Sequence, residues 1–230
     1  VKNSIGNEIP SQLTHDGKIL VEIAVAPSSS ATITIATGLP KSYVNTCYGR
    51  MYPERVDDIA WENDRGAYRC YGPALQASGE QAFGNDVWVK NTPDLVVESR
   101  YHNELVNKLS YHVDRGYGLD CYKVGPTLGC GTPAIIEGDN IRFPYCWTAY
   151  EILDNGPLRF TVRLDYGANG EHRIMSLDKG SNFNKMTVWY DGISAPVDVA
   201  SGVVIHTEDT ESVVLGKDFV QYADPTDNPK

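Results

Sequence analysis

The sequence has no excess of positive charge and no long apolar run. Its 230 residues carry 20 Lys and Arg against 30 Asp and Glu, a formal net charge of −10. Nucleic acids and anionic membrane surfaces bind basic footprints, so the composition predicts neither as a main partner. No stretch approaches the roughly 20 apolar residues of a membrane-spanning helix, which predicts no membrane insertion. The chain begins Val1-Lys2-Asn3 without an export signal, so we expect a processed or trimmed product.

Cysteines and common catalytic motifs are also scarce. Five cysteines and no CxxC pair argue against a disulfide scaffold and against a structural zinc site. One disulfide remains open as an alternative to buried free thiols. The glycine-rich residues 125–131 lack the Lys-Ser/Thr of a phosphate loop, and no GxSxG nucleophile elbow occurs. The sequence therefore predicts neither a nucleotide-binding enzyme nor an α/β-hydrolase.

The main pattern in the sequence is the alternation of apolar and polar residues with a period of two. In residues 158–165, Leu158, Phe160, Val162 and Leu164 alternate with polar residues, and Asp-Asn-Gly-Pro at 154–157 predicts a hairpin turn before them. This pattern predicts one mainly β domain over residues 1–230, an antiparallel β-sandwich with one or two short helices and a frayed tail at 224–230. Further strands are predicted at residues 18–26, 31–37, 145–153, 171–177, 183–190, 200–205 and 212–215.

One helix is predicted from a capping signal and a stripe. Thr92-Pro93-Asp94 offers an N-cap residue, a first-turn proline and an acidic residue. An apolar residue then recurs at every fourth position, which favours a helix packed against a sheet. The stripe consists of Val97, Tyr101, Leu105 and Leu109.

Residues 57–75, DDIAWENDRGAYRCYGPAL, mix charges with aromatic rings in a way that suits a polar, hydroxyl-rich ligand. Trp61 and Tyr71 are candidates for stacking on a sugar. Arg65 and Arg69 are candidates for binding a carboxylate or hydroxyl pair. The alternative is that Asp64/Arg65 and Glu62/Arg69 are structural ion pairs. In the functional interpretation, the acid/base carboxyl group comes from Glu62 or Asp64.

Residues 111–131, YHVDRGYGLDCYKVGPTLGCG, form a second block of the same character. His112 is the candidate acid or base, because its ordinary pKa lies near working pH. The His-x-Asp spacing lets Asp114 orient the imidazole, with Tyr122 assisting and Asp120 and Lys123 contacting substrate. The alternative is a histidine satisfied structurally in a loop. Unusual backbone angles or close approach are predicted at Gly116, Gly118, Gly125 and Gly129.

These segments carry a resemblance. WENDRGAYRCYGPAL at 61–75 and the block at 111–131 resemble two hallmark segments of domain-of-unknown-function family 4861, supported by IGNEIPSQLTHDGKIL at 5–20 and SLDKGSNFNKMTVWYDG at 176–192. The resemblance implies a secreted or periplasmic bacterial protein, often encoded near polysaccharide-degrading enzymes. It also implies a galactose-mutarotase-like β-supersandwich. Family members are longer, so we expect this chain to be a fragment truncated at both ends.

The leading hypothesis is a carbohydrate-active enzyme, either a glycoside hydrolase or a polysaccharide lyase, acting on an acidic or plant-type glycan. An oligosaccharide or polysaccharide is the expected partner, and the oligomeric state is left open. No cofactor is predicted, with calcium held by loop carboxylates as the alternative. The competing hypotheses are a non-catalytic sugar-binding domain and a purely structural module.

Overall fold

The computed structural model describes residues 1–143, 145–167, 170–206 and 212–223, and the predicted tail at 224–230 lies outside them. The described chain is mainly β with two short α-helices, as predicted. The helices are α1 (Pro73–Ala77) and α2 (Val97–His102), with a 3-10 turn at Pro53–Arg55 and a π-helical turn at Asn103–Asn107. The strands are β1 (Lys2–Asn3), β2 (Ser11–Leu13), β3 (Ile19–Val21), β4 (Ile33–Thr34), β5 (Tyr48–Tyr52), β6 (Asp58–Glu62), β7 (Gly66–Cys70), β8 (Asp86–Val89), β9 (Leu119–Asp120), β10 (Cys130–Glu137), β11 (Asn140–Arg142), β12 (Ala149–Asn155), β13 (Arg159–Tyr166), β14 (Glu171–Asp178), β15 (Asn184–Tyr190), β16 (Asp198–Val203), β17 (Val213–Leu215) and β18 (Val220–Tyr222).

Antiparallel pairing builds the sheets. The largest has five strands in the order β5-β6-β7-β8-β9, and a four-stranded meander follows the order β12-β13-β14-β15. A three-stranded sheet has the order β11-β10-β16, and β1-β4, β2-β3 and β17-β18 are two-stranded ribbons. Sequential antiparallel neighbours are expected when alternating strands are joined by short turns.

The main core lies between the five-stranded and four-stranded sheets. Ile59 and Trp61 on β6 face Phe160 and Val162 on β13, and these side chains are at most 1% exposed. Burying each large apolar side chain contributes about 1.5–3 kcal/mol, so this interface holds the two sheets together. The predicted antiparallel sandwich is confirmed. The remaining buried members of the cluster are Cys47, Tyr68, Cys70, Cys146, Trp147, Leu164, Tyr166, Met175 and Leu177.

Strand predictions were best where alternation was regular. The hairpin of β12 and β13, followed by β14 and β15, forms in the predicted order. The early runs at 18–26 and 31–37 were predicted too long, since only Ile19–Val21 and Ile33–Thr34 are strands. Each of these short strands pairs with a single partner of two or three residues, so the ladder ends where the partner ends.

The helix prediction placed its start wrongly. The helix begins at Val97, and the Thr92 hydroxyl instead accepts a hydrogen bond from the Asp94 backbone N–H at 3.2 Å in a local turn. The first free N–H groups of α2 are capped from another element. Both Val96 N and Val97 N donate to Glu62 Oε1 at 2.8 Å. The helix passes into the π-helical turn after His102, so the predicted stripe does not continue as an α-helix.

The outer face of the five-stranded sheet is covered as well. Ala60 and Ala67 point away from the sandwich core and pack with Val97 and Tyr101 of α2 and with Trp88. For this reason β6 and β7 are buried at every position. A strand buried on both faces has no solvent side, so its charged residues must find partners inside the protein.

None of the five cysteines, all of which lie in the described residues, forms a disulfide, and Cys47, Cys70 and Cys146 are buried. Within the described residues, no helix has the length and apolar character needed to cross a membrane.

Candidate functional site

A cleft of about 470 Å³ opens beside the outer face of the five-stranded sheet, and both sequence blocks contribute to it. Six predicted site residues line it: Arg69 and Tyr71 from the first block, and His112, Asp120, Tyr122 and Lys123 from the second. The other lining residues are Arg55, Glu80, Gln81, Ala82, Tyr111, Cys121, Val124, Gly125 and Pro126.

Arg69 forms the floor of this cleft, at the centre of a buried ionic cluster. Its Nε donates to Asp86 Oδ2 at 2.9 Å, and its Nη2 donates to Asp120 Oδ2 at 2.9 Å. Asp58 Oδ2 lies 3.7 Å from Nη1. The predicted pairing of Arg69 with Glu62 was wrong, because β7 pairs with β8 and places Asp86 directly opposite Arg69. Arg69 is only 4% exposed, and the carboxylates of Asp86 and Asp120 accept hydrogen bonds from it together with the hydroxyls of Tyr71 and Tyr111.

Asp58 makes only long contacts to the side chains of the cluster. Its Oδ2 lies 3.4 Å from Tyr101 Oη and 3.7 Å from Arg69 Nη1. Burial raises the pKa of Asp58 to about 6, against the opposing effects of Arg69 and Arg55. A carboxyl group with such a pKa holds a proton into mildly acidic pH, directly beneath the cleft.

His112 is held by the backbone of Asp120. Its Nδ1–H donates to the Asp120 carbonyl oxygen at 3.0 Å, and the Asp120 carboxylate lies 3.7 Å from the same nitrogen. The lone pair of the neutral ring is therefore on Nε2. The side chain is 44% exposed, which makes the ring accessible from the cleft.

Asp114 does not orient His112 as predicted. Its Oδ1 accepts hydrogen bonds from Gly116 N at 2.9 Å and Gly118 N at 3.0 Å. These two N–H groups lower the pKa of Asp114. The carboxylate shapes the loop, and the acidic residue next to the imidazole is Asp120.

The glycines of the second block have the unusual backbone predicted for them. Gly118 has φ of +90°, and a Cβ at this position would lie 2.1 Å from Val89 O. Gly129 has φ of +58°, and its Cβ would lie 2.2 Å from Asn85 O. Because only glycine fits such close approach, these two positions hold the loop with Asp120 against β8.

Tyr111 connects the cleft's arginines. Its hydroxyl oxygen accepts hydrogen bonds from Arg55 Nη2 at 2.7 Å and from Arg69 Nη1 at 3.2 Å. Its ring packs against His112, with centroids 4.6 Å apart. Sequence reasoning missed Arg55, Tyr111 and Asp86 as site residues. Of these three, only Asp86 could have been found from the sequence, because it is the one charged residue in the otherwise apolar strand β8, on the same face as Trp88.

Tyr122 and Lys123 form another wall of the cleft. The Tyr122 hydroxyl donates to Gly129 O at 2.8 Å and accepts from Val204 N at 3.3 Å. These bonds tie the loop to the end of β16. The backbone carbonyl of Lys123 accepts a hydrogen bond from His206 Nε2 at 2.5 Å.

The other predicted residues lie outside the cleft. Glu62 is buried, where it accepts a hydrogen bond from Lys90 Nζ at 2.6 Å and caps α2. Trp61 is 1% exposed in the sandwich core, where its Nε1–H donates to Asn184 Oδ1 at 2.8 Å. Asp64 accepts from Gly180 N at 2.6 Å and lies 4.0 Å from exposed Arg65, the ion pair given as the structural alternative.

Among the described residues, no group of three or more His, Cys, Asp and Glu side chains is arranged to hold a metal ion.

Comparison with known proteins gives two matches. The family model described as Domain of unknown function (DUF4861) matches residues 1–230. The chain is 32% identical over 174 residues to "Uncharacterized protein P7" of Formosa agariphila, a match covering 70% of this chain and 43% of that protein. The matched part is thus less than half of that relative's length. No solved structure gives a significant match.

Proposed function

This chain belongs to the family described as Domain of unknown function (DUF4861), and we propose that it is a carbohydrate-active enzyme with its active site in the cleft. The observation that carries the proposal is the meeting of Arg69 and Tyr71 with His112 and Asp120 in one cleft, although the blocks are about 40 residues apart. The cleft volume of about 470 Å³ is in the range of ligand-binding sites.

The arrangement of carboxyl groups favours a lyase over a hydrolase. A glycoside hydrolase needs two carboxyl groups that flank the scissile bond. Among the described residues, two carboxyl side chains line this cleft: Asp120, which binds Arg69, and Glu80. Asp86 is fully buried against Arg69, and Glu62 and Asp64 are not lining residues, so a pair of free carboxyl groups that could flank a bond is missing from the lining. A lyase instead needs a base and a cation that neutralises the substrate carboxylate, and His112 and arginines line the same cleft.

The proposed reaction is a β-elimination at a uronate residue of an acidic glycan. His112 Nε2 removes the proton from the carbon next to the carboxylate. The electron pair of that C–H bond becomes a carbon–carbon double bond, and the bond to the leaving glycosidic oxygen breaks. The imidazolium then returns the proton to that oxygen. The products are an unsaturated uronide and a new reducing end, with no net gain or loss of atoms.

The second candidate function is a non-catalytic sugar-binding domain. It is favoured by the engagement of Tyr71, whose hydroxyl lies 3.2 Å from Arg69 Nη2 and 3.4 Å from Asp86 Oδ2. In that case the same cleft binds an oligosaccharide, and His112 acts as a hydrogen-bonding group only.

The test is incubation with a panel of uronate-containing and neutral polysaccharides. Reducing ends together with ultraviolet absorbance from the new double bond are the expected result. His112→Ala should abolish both signals while leaving the melting temperature nearly unchanged, because the ring is partly exposed. Reducing ends without absorbance would mean a hydrolase, and binding without either signal would mean the sugar-binding domain.

A further inference from the structure

The arginines near the cleft differ in what already binds them. Arg69 is 4% exposed, and three aspartates surround it. Arg65, the other predicted carboxylate-binding residue, is exposed but does not line this cleft. Neither is placed to receive the carboxylate of a bound sugar in this cleft.

Arg55 differs from both. It follows β5 in the 3-10 turn Pro53–Arg55, and its side chain lines the cleft. Its Nε and Nη2 donate to the hydroxyl oxygen of Tyr111 at 3.3 and 2.7 Å. Among the described residues, no carboxylate lies within 4.0 Å of its guanidinium, and Asp58 acts on it only at longer range, so Arg55 forms no direct ion pair there.

A guanidinium that lines a cleft and forms no direct ion pair can bind an anion. Burial of part of the side chain strengthens such an interaction, since water screens it less. The planar fork also matches the two oxygens of a carboxylate better than an ammonium does. Tyr111 fixes the orientation of the fork, because a neutral hydroxyl holds the guanidinium without neutralising it.

We propose that Arg55, held by Tyr111, is the residue that binds the uronate carboxylate of the substrate and selects acidic over neutral glycans. The inference rests on the proposed function, which it deepens by naming the group that recognises the acid. Tyr111 contacts both Arg55 and His112, so a carboxylate on Arg55 lies in the part of the cleft that His112 lines. There the guanidinium of Arg55 stabilises the negative charge that develops on the substrate when the proton next to the carboxylate is removed.

Binding tests this role separately from turnover. Isothermal titration would use galacturonate and glucuronate oligosaccharides, each beside its carboxyl-reduced form, with the His112→Ala protein to prevent cleavage. We expect at least one uronate oligosaccharide to bind roughly 10-fold or more tightly than its reduced form, as a charge-assisted bidentate contact allows. Arg55→Gln should remove that difference, while Arg55→Lys keeps part of it.

Two further variants control for structure. Arg65→Gln removes an arginine outside the cleft and should leave the preference intact. Tyr111→Phe keeps the ring but removes the hydroxyl that positions Arg55, so it should weaken uronate binding less than Arg55→Gln does. Melting temperatures of all variants establish that each is folded.

The outcomes separate the two proposals. The role of Arg55 is overturned if folded Arg55→Gln still binds uronate oligosaccharides more tightly than their reduced forms. It is also overturned if the His112→Ala protein with Arg55 intact binds both forms equally or binds neither. If the preference depends on Arg55 but no polysaccharide gives double-bond absorbance with the intact His112 protein, the role of Arg55 stands and the lyase proposal fails.

Discussion

The two faces of the five-stranded sheet are built from the same strands, but one face carries apolar side chains and the other carries buried charges. On the inner face, Ile59 and Trp61 alternate along β6 and pack against the four-stranded sheet. On the outer face, Asp58 and Glu62 occupy the neighbouring positions and meet Arg69 and the start of α2. Apolar contacts tolerate imperfect partners, whereas buried charges do not. The comparison teaches that the inner face supplies cohesion and the outer face supplies a preorganised, polar floor for the cleft.

The largest effect is expected from removing the cation of the outer face. Arg69→Met leaves Asp58, Asp86 and Asp120 buried together without the arginine that contacts all three. We expect a loss of about 3–5 kcal/mol in the free energy of unfolding, measured by urea denaturation. Arg65→Met is the matched control and should change stability by no more than about 0.5 kcal/mol, since Arg65 is exposed. A loss similar to that of the control would show that the cluster needs no cation.

The outer face should also make stability depend on pH. The ordinary pKa of an aspartate side chain is 3.8, and the pKa of Asp58 in the folded protein is about 6. The folded state therefore holds the proton of Asp58 up to a higher pH than the unfolded state does. This protonation contributes stability that is fully present below the ordinary pKa and is lost as pH rises through about 6. The groups that face Asp58 are Arg55, Arg69, Asp86 and Tyr101.

Urea denaturation at a series of pH values measures this contribution. Stability from this group should fall by an amount on the order of 1–3 kcal/mol between about pH 4 and about pH 7. Asp58→Asn cannot titrate, so its stability should lack that component. Parallel pH profiles for the two proteins would contradict a raised pKa.

Glu62→Gln tests whether a predicted catalytic carboxylate is structural. The substitution keeps the shape but leaves Lys90 buried without an acid. We expect a loss of about 1–3 kcal/mol in unfolding free energy, with turnover per folded molecule unchanged. Glu54→Gln, in the exposed ion pair with Arg50, should cost less than about 1 kcal/mol. Lost turnover at unchanged stability would return Glu62 to the catalytic role that the sequence predicts.

The smallest effect is expected from a methylene on the inner face. Ile59→Val should lower the unfolding free energy by about 0.5–1.5 kcal/mol. Because Ile59 faces the sandwich core, sugar binding and the pH profile of stability should stay as in the parent protein. A change in either property would mean that the two faces are coupled through β6.

The predicted site residues are divided between one cleft and other parts of the fold. Six predicted residues line one cleft, but Trp61 belongs to the core, and Asp114 binds loop amides rather than His112. Charge and aromaticity in a stretch of sequence indicate a polar site. They do not tell which side of a strand each residue faces until the strand's partners on both faces are known.

By itself, the sequence determined the strands that alternate regularly, the glycines that need positive φ and the two blocks that supply lining residues to the cleft. These features depend on local backbone geometry, which neighbouring residues control. Only the tertiary structure decided that Arg69 pairs with Asp86, that Glu62 caps α2 and that Arg55 joins Tyr111 in the cleft. Such contacts join residues many positions apart, and they form because buried charges must find partners wherever strand pairing places them.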